Sequence, residues 1–205
     1  MATAPLSRSA SKARTRRRIL DAARAVFERQ GFHAASLDQV AREAGFTKGA
    51  VYSAFDSKAD LFFALLAERA ESRRAALRQV AEQGRTGEGL VAEISRHLAG
   101  SVAAERDWWS AVIEFATFAA RDEALRARYA EHHDATREMV AQVIRDNAPA
   151  GTPAIDARAF ATAALALTNG LTLEALLAPG EVPQELYADA QAALFRGATT
   201  PTRER

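Results

Sequence analysis

The sequence predicts an all-α protein with about nine helices. Apolar residues recur three and four positions apart along most of the 205-residue chain, which is the period of a helix with one buried face. No segment alternates with period two for long enough to make a convincing strand. Helix caps and glycine or proline stops punctuate the pattern, and 48% hydrophobic residues suffice for a proper core.

The chain opens with a segment, residues 1–11, that is rich in Ser and Ala and is expected to be a disordered basic arm. A first helix is predicted from about Lys12 to the stop residue Gly31. A run of arginines in its first turns is, taken alone, a solvated basic face. Close to a DNA-binding motif, such a run can instead neutralise phosphates. The arginines are Arg14, Arg16, Arg17 and Arg18.

Two short helices joined by a tight turn are predicted within residues 36–55. Ser36 and Gln39 have the spacing of a capping box, which begins the first of these helices. Gly45 follows its last apolar residue, where a positive φ is easy only without a Cβ. Thr47 is the N-cap of the second helix. Two helices across a turn of this length have the plan of a helix-turn-helix motif.

The second of these short helices is expected to present a polar face to solvent. Val51 and Phe55 lie on one side of it and serve the core. Tyr52 is assigned to the outward face, with core packing as the alternative. The predicted outward residues are Lys48, Gly49, Tyr52 and Ser53.

A long helix is predicted next, over about residues 58–82. Ser57 is its N-cap, and Asp60 adds a favourable negative charge to its first turn. Glycines then break the pattern, and the hinge between two regions is placed in this helix and the glycine-spaced loop after it. The glycines are Gly84, Gly87 and Gly89.

Three helices are expected between residue 88 and a loop near residue 150. Charged residues at 105–107 and 121–123 separate them. The middle helix is short and very apolar, and its polar residues share one face. The closing loop contains Pro149, Gly151 and Pro153.

The segment from Ile155 to Ala178 is apolar nearly all round, so a helix here must be covered on both sides. In so short a chain, the second cover is expected to be another copy of the same protein. Gly170 costs about 1 kcal/mol in mid-helix relative to Ala, which suggests a close helix crossing. A last helix begins near Pro183, and residues 198–205 form a polar tail. The expected interface is Leu167, Gly170, Leu171, Glu174, Leu186, Ala190 and Leu194.

Charge is unevenly distributed along the chain. Residues 1–60 carry eleven Lys or Arg against six Asp or Glu, a net charge of +5, and the remainder carries sixteen against twenty, a net charge of −4. A basic front part and an acidic back part indicate different partners for each.

Several classes of protein are excluded or disfavoured by composition. The chain has no cysteine, so disulfides, thiolate chemistry and cysteine-ligated metals are excluded. No apolar run is expected to reach the ~20 residues that cross a bilayer, and the first residues lack the apolar core of a secretory signal, which places the protein in the cytoplasm. His132 and His133 point about 100° apart on a helix and do not easily hold one metal. No catalytic constellation, metal site or cofactor motif is present, so an enzyme is not expected.

Residues 16–66 resemble the TetR family of bacterial transcription regulators. The resemblance lies in Ile-Leu-x-Ala-Ala of the first helix, Gly31-Phe32, and Lys48-Gly49-x-x-Tyr52-x-x-Phe55. It implies an N-terminal DNA-binding domain, residues 12–60, and a ligand-binding and dimerisation domain, residues 61–197. It also implies a homodimer on a palindromic DNA operator.

The resemblance assigns residues 47–54 to the recognition helix. It implies phosphate contacts for Thr47, Tyr52 and Lys58, with Ser36 at the start of the supporting helix and Arg16 and Arg17 in the basic arm. It implies base-edge contacts for Lys48, Gly49, Ala50 and Ser53. Because Ser53 and Ala54 stand where the family often has a bulky or polar residue, much of the specificity is expected from groove shape.

The family's switch is a ligand in the C-terminal domain that shifts the fourth helix and changes the separation of the two recognition helices. A small apolar or aromatic ligand is expected here. Ordinary core packing is the alternative for each aromatic candidate, and Glu114 lies either on a polar face with Ser110 and Thr117 or in the pocket. The candidates are Phe63, Leu66, Trp108, Trp109, Glu114, Phe115, Phe118, Tyr129, His132, His133 and Met139.

Two other functions fit the same sequence. One is an architectural DNA-binding dimer whose C-terminal domain only dimerises. The other is a regulator whose C-terminal domain binds a protein partner. The resemblance alone favours the ligand-responsive regulator, in the family's usual mode of repression.

Overall fold

A computed structural model describes residues 8–147 and 156–199 of the chain. These residues form nine α-helices and no strand, which confirms the predicted fold class. The helices are α1 (Arg8–Ala34), α2 (Leu37–Ala44), α3 (Lys48–Tyr52), α4 (Lys58–Ala81), α5 (Gly87–Ala104), α6 (Arg106–Ala119), α7 (Glu123–Asp146), α8 (Ala157–Leu177) and α9 (Gln184–Thr199).

The chain divides into two compact units. Unit 1 comprises Met1–Arg69 and Asp107–Leu125, and unit 2 comprises Ala70–Arg106 and Arg126–Arg205. Contiguous domains, divided between residues 60 and 61, were expected from the sequence. Unit 1 extends to Arg69 and includes most of α6, because α6 supplies aromatic side chains to its core, and the functional division of the chain at residue 60 stays a prediction.

Two predicted irregular segments are partly helical. Of the arm expected at residues 1–11, Arg8–Ser11 belong to α1, because Arg, Ser and Ala continue a helix at little cost. At the other end α9 continues to Thr199. The rest of both segments lies outside the described residues, as do Pro149, Gly151 and Pro153.

Unit 1 is built on α1, which packs against α2, which in turn packs against α3. Fully buried aliphatic side chains join these helices, among them Ile19, Val40 and Val51, each 0% exposed. The helical course of α1 is broken at Gly31, which has φ 75° and ψ 174°. The predicted stop is thus a kink, after which the chain turns toward α2.

Unit 2 is built on α5, which packs against α8 and α9. Its core combines side chains of α5, α7, α8 and α9, including Val91, Ile144, Phe160 and Phe195. The end of α8 is held by Arg106, whose Nη1 donates to Ala175 O at 2.8 Å and whose Nη2 donates to Leu176 O at 3.1 Å. These bonds satisfy carbonyls that a helix end leaves without partners.

Helix α8 is long and apolar enough, by length and composition alone, to cross a membrane, with a mean hydropathy of 1.4. The expectation that no segment reaches this limit is therefore wrong, because alanines and uncharged polar residues accompany its leucines. Only 28% of its apolar window is buried. The helix buries one face in the core of unit 2 and leaves the other uncovered within the protomer.

Candidate functional site

The turn between α2 and α3 is fixed by local caps. Ser36 Oγ accepts from Gln39 N at 3.3 Å, and Gln39 Oε1 accepts from Ser36 N at 2.8 Å, so the predicted capping box is present. Gly45 has φ 68°, in the left-handed region. Thr47 Oγ1 accepts from Ala50 N at 3.3 Å and begins α3. The helix-turn-helix is therefore set by interactions within a few residues of one another.

A polar face of α3 points to solvent. Val51 and Phe55 are 0% and 4% exposed, whereas Tyr52 is 44% exposed, which excludes core packing for its ring. Ala50 is half-buried. The other predicted base-edge and phosphate residues of this face are also exposed: Thr47, Lys48, Gly49 and Ser53. Hydroxyl and ammonium groups at such a face can bind phosphates or base edges.

Lys48 is paired within the protein. Its Nζ lies 2.9 Å from Asp38 Oδ1 on α2 and 5.6 Å from the centre of the Tyr52 ring. The hydrogen bond that Lys48 donates to Asp38, together with the negative charge of that carboxylate, raises the pKa of Lys48 above the ordinary value of 10.5. Because both side chains are solvated, a DNA phosphate or base can replace the carboxylate as the partner of this ammonium.

The arginines of the basic run also have partners inside unit 1. Arg16 lies over the Phe55 ring at 4.3 Å and donates to Ala54 O at 3.4 Å. Arg17 pairs with Asp21 at 3.1 Å and with Glu68. Both remain exposed. Their phosphate contacts stay predictions.

Arg18, to which no separate role was assigned, fastens α1 to the turn of the motif. Its Nη2 donates to Ala44 O at 3.0 Å, and its guanidinium lies over the Phe46 ring at 4.7 Å. The sequence around Arg18 could not predict this contact, because the contact depends on how α1 crosses α2.

Lys58 is engaged at the end of α1. Its Nζ donates to Phe32 O at 2.7 Å, to His33 O at 3.0 Å and to Ala35 O at 2.8 Å. Burial lowers the pKa of Lys58, an effect that the charge of Glu114 opposes. An ammonium group has three N–H donors, and these three carbonyls occupy them. The phosphate contact implied for Lys58 stays a prediction and requires this arrangement to open.

Glu114 meets the same end of α1 from α6. Its Oε2 accepts from His33 N at 3.0 Å, and a Cβ on Gly31 would lie 2.4 Å from its Oε1. Glu114 is half-buried and shares a face of α6 with the exposed Ser110 and Thr117, which agrees with the polar-face alternative, and its ligand contact stays a prediction. A positive-φ glycine beside a half-buried carboxylate is a tertiary contact that spacing along the chain does not reveal.

Several aromatic ligand candidates pack against one another in the core of unit 1. Phe115 is 0% exposed and Trp108 is 2% exposed. The Phe62 ring stacks on Trp108 at 5.2 Å and lies 4.4 Å from Phe115. Phe63 lies 4.9 Å from Phe115. This is the core packing offered as the alternative for each of them.

Three further candidates of unit 1 differ in exposure. Leu66 is buried at 6% exposed, and Phe118 is 37% exposed with its ring 5.1 Å from Phe32. Trp109 is half-buried. Ligand contacts of these residues stay predictions.

The remaining ligand candidates lie on α7 in unit 2. The Tyr129 ring is 6.4 Å from His132 and 5.2 Å from His133. Burial raises the pKa of Tyr129 and lowers the pKa values of both histidines below the ordinary 6.5, and the charge of Arg73 acts in the same direction. Met139 is half-buried. None of these four residues lines the cavity described next.

Unit 2 contains a small cavity with a volume of about 40 Å³. It lies among α4, α5, α7, α8 and α9, and its lining is apolar except for Ser95, Thr168 and Gln191. None of the predicted ligand residues lines it. One feature of the sequence could have indicated this cavity. Gln191 is a polar residue midway between Tyr187 and Phe195 on the buried face of α9. Its apolar lining residues are Leu77, Val91, Ile94, Leu98, Val140, Val143, Ile144, Phe160, Ala164 and Leu165.

The predicted dimer face is partly accessible. Gly170 and Glu174 are exposed, and Leu186 is 39% exposed. Leu173 and Leu177, at 41% and 71% exposed, extend the face of α8 that carries Gly170. The half-buried predicted residues are Leu167, Leu171, Ala190 and Leu194.

Two segments of the chain match known protein families. Residues 19–65 match "Bacterial regulatory proteins, tetR family", and residues 88–197 match "BetI-type transcriptional repressor, C-terminal". The helix-turn-helix motif lies within the first match, and the cavity lies mostly within the second.

Individual relatives agree with these families. The HTH-type transcriptional regulator UidR of Escherichia coli is 30% identical over 159 residues, which cover 77% of this chain and 79% of UidR. The HTH-type transcriptional regulator SrpR of Pseudomonas putida is 54% identical over 55 residues, 27% of this chain; that match spans only 26% of the length of SrpR. These relatives are DNA-binding regulators and not enzymes.

The fold is also found in solved structures. The transcriptional regulator FadR from Bacillus subtilis, solved in complex with stearoyl-CoA, has a TM-score of 0.72 at 15% identity and covers 88% of this chain and 98% of its own. At this identity the likeness concerns the fold alone.

Proposed function

The chain belongs to the TetR family of bacterial transcriptional regulators, and from this premise we propose that it is a repressor whose operator binding is released by a small molecule. It acts as a homodimer on a palindromic operator in the cytoplasm. The outward polar face of α3 is the observation that carries this proposal, because it offers exposed donors on a helix with its position fixed by caps.

DNA recognition in this proposal divides between two kinds of contact. Thr47 and Tyr52 bind phosphates and fix the register, with the arginines of α1 adding charge. Lys48 reaches a base edge, where a lysine pairs best with guanine, and Ala50 can contact a thymine methyl. The shape of the groove supplies the remaining specificity.

Dimerisation in this proposal uses the uncovered face of α8 together with α9. The exposed Leu173 and Leu177 support it, because contiguous apolar surface on a protomer marks an interaction site. A dimer must place its two recognition helices about 34–36 Å apart, one turn of DNA. A ligand that favours another separation therefore releases the operator, provided that it binds the two states with different affinity.

The proposal is tested by binding the purified protein to the DNA immediately upstream of its own gene. We expect a specific gel shift at nanomolar protein that excess random DNA does not abolish. The variant Lys48→Ala should weaken this binding about 5- to 150-fold if Lys48 contacts a base. The matched control is Lys12→Ala, which removes an exposed lysine from the start of α1.

The outcomes separate the alternatives. An equal loss for Lys48→Ala on every DNA sequence would demote Lys48 to a phosphate contact. Weak binding that competitor DNA abolishes, both upstream and in a selection from random DNA, would replace the repressor by an architectural protein. Operator binding that responds to a co-purified protein and to no small molecule would overturn the ligand-controlled switch.

A further inference from the structure

Gln191, which lines the cavity of unit 2, has an amide oxygen without a hydrogen-bond partner among the described residues. Gln191 is only 3% exposed, and its Oε1 is buried with no partner among the described residues. A buried acceptor that is not hydrogen-bonded destabilises the folded protein, because it has lost its water without gaining a partner. An unsatisfied acceptor on a residue that lines a cavity points to a donor that enters this cavity.

The orientation of this amide follows from its neighbours on α8. Gln191 faces Ala164 O at 2.7 Å and Thr168 Oγ1 at 3.0 Å. Ala164 O can only accept, and the Thr168 hydroxyl donates its proton to that same carbonyl at 3.0 Å. Both atoms therefore require a donor, which is the amide nitrogen. The oxygen is left on the other side of the amide.

The remaining polar side chains of the lining have already used their protons. Ser95 Oγ donates to Val91 O at 2.8 Å, and Thr168 donates to Ala164 O. The described lining includes no charged side chain, so a charged ligand would be buried without a counter-ion at high cost. The cavity is thus complementary to a neutral molecule with an apolar body and one hydrogen-bond donor.

The volume sets a further condition. About 40 Å³ holds roughly three water-sized probes, whereas a benzene-sized body needs a cavity of roughly 150 Å³. An aromatic ligand must therefore move lining side chains to enter. Leu77 of α4 is one of these side chains. A ligand in the cavity would therefore displace a side chain of α4, the helix that moves in the proposed switch.

We infer that this cavity is the effector site and that it binds a neutral alcohol- or phenol-type molecule through a hydrogen bond to Gln191 Oε1. This inference rests on the proposed ligand-controlled function and specifies its chemistry. It moves the site from the aromatic residues of α6 and α7 to a cavity that includes a residue of α9.

The test compares phenol with toluene, two probes of nearly equal size of which only phenol donates a hydrogen bond. Binding to the full-length protein without DNA is measured by calorimetry. We expect phenol to bind about tenfold more tightly than toluene, the contribution of one hydrogen bond. In Gln191→Leu this preference should disappear, and in the control Gln142→Leu, which replaces an exposed glutamine of α7 outside the lining, it should persist.

A second variant guards against a loss of folding. Leu165→Phe places a ring in the cavity and should weaken both probes while operator binding and the circular dichroism spectrum are retained. Equal affinity for phenol and toluene, or unchanged binding to Leu165→Phe, would overturn the site. Binding of neither probe to the wild-type protein would also overturn it.

Failure of the site and failure of the proposed function give different results. If phenol-type molecules bind through Gln191 but leave operator binding unchanged, the site stands and the ligand-controlled switch falls. If another molecule releases the operator equally from the wild type and from Gln191→Leu, the switch stands and this site falls.

Discussion

At the scale of single residues, the candidate DNA-reading lysine is held by a neighbouring carboxylate. Lys48 and Asp38 lie on successive helices, α3 and α2, with their charged atoms 2.9 Å apart. In the proposed complex, Asp38 competes with DNA for the Lys48 ammonium group, and its negative charge repels the phosphates. An exposed pair of this kind stabilises the fold little, so its main effect is on binding.

The variant Asp38→Asn should bind operator DNA more tightly, by roughly two- to fivefold near 0.1 M salt. The reason is that Lys48 loses its intramolecular partner and a negative charge leaves the DNA-facing surface. Fluorescence anisotropy across a salt series measures the change. Glu43→Gln is the matched control, because Glu43 is also on α2 but pairs with Arg29 at 2.8 Å. An equal gain in both variants would leave only a general charge effect.

Two histidines of α7 give stability a defined pH dependence. Burial and nearby positive charge lower the pKa values of His132 and His133. Below the ordinary value of 6.5 the unfolded chain therefore takes up protons before the folded chain does. The contribution of the two histidines to the free energy of unfolding is therefore complete above pH 6.5. It is lost as the pH falls through their lower folded-state pKa values.

We expect the urea midpoint to fall between pH 7.5 and pH 5, and the double variant His132→Asn/His133→Asn to show a smaller fall. His97→Asn serves as the control, since His97 is exposed on α5. A fall in the double variant as large as in the wild type would assign the pH dependence to the carboxylates.

At the scale of helices, the kink at Gly31 joins the end of α1 to α4 and α6. Lys58 on α4 donates hydrogen bonds to three backbone carbonyls after the kink. Glu114 on α6 accepts a hydrogen bond from the His33 N–H. Gly31 itself has a backbone conformation that is essentially restricted to glycine. Three helices of unit 1 thus depend on one position without a side chain.

Gly31→Ala should destabilise the protein by about 2 kcal/mol or more, from backbone strain and a Cβ placed against the Glu114 carboxylate. Urea unfolding measures this. Gly100→Ala is the control: a Cβ there meets nothing, and alanine should stabilise the middle of α5 by about 0.5–1 kcal/mol. Adding Glu114→Ala to Gly31→Ala should recover part of the lost stability, because the contact between the new Cβ and the carboxylate is removed. If no stability is recovered, the whole loss comes from backbone strain at residue 31.

What the sequence could predict depends on how local each interaction is. The caps Ser36 and Thr47 and the left-handed Gly45 act over three or four residues, and all three were placed correctly. Sequence periodicity also identified the apolar character of α8. The cavity around Gln191 could not be found this way, because its lining comes from five helices.

The aromatic residues of unit 1 also show what the sequence cannot predict. An aromatic stripe at helical spacing is compatible with a ligand pocket and with a core. Only the ring contacts of Trp108 and Phe115 distinguish the two. The three hydrogen bonds that Lys58 donates at the end of α1 likewise could not be inferred from its position in the sequence, and its phosphate contact stays a prediction.

At the scale of the whole molecule, the chain combines a basic DNA-facing part with an apolar surface on α8. The net charge of +5 in residues 1–60 supports association with DNA through the phosphates. The uncovered face of α8 includes Gly170, where an added Cβ meets nothing within the protomer. We therefore expect a larger side chain at this position to leave a single protomer folded and, if this face is the dimer interface, to clash with the second copy.

Gly170→Leu should weaken the dimer while leaving the circular dichroism spectrum unchanged. Sedimentation over a range of protein concentrations measures the monomer fraction. Gly100→Leu is the control on α5, where the added side chain also begins in open space. An unchanged sedimentation profile for Gly170→Leu would remove this face of α8 from the interface.

Leu177, with 71% of its surface in water, also bears on gene dosage. If its burial requires a second protomer, the number of active regulators in a cell grows with the square of the number of chains as long as monomers predominate. Halving the expression of the gene would then leave roughly a quarter of the dimers. Small differences in promoter strength or chain turnover would thus translate into large differences in operator occupancy.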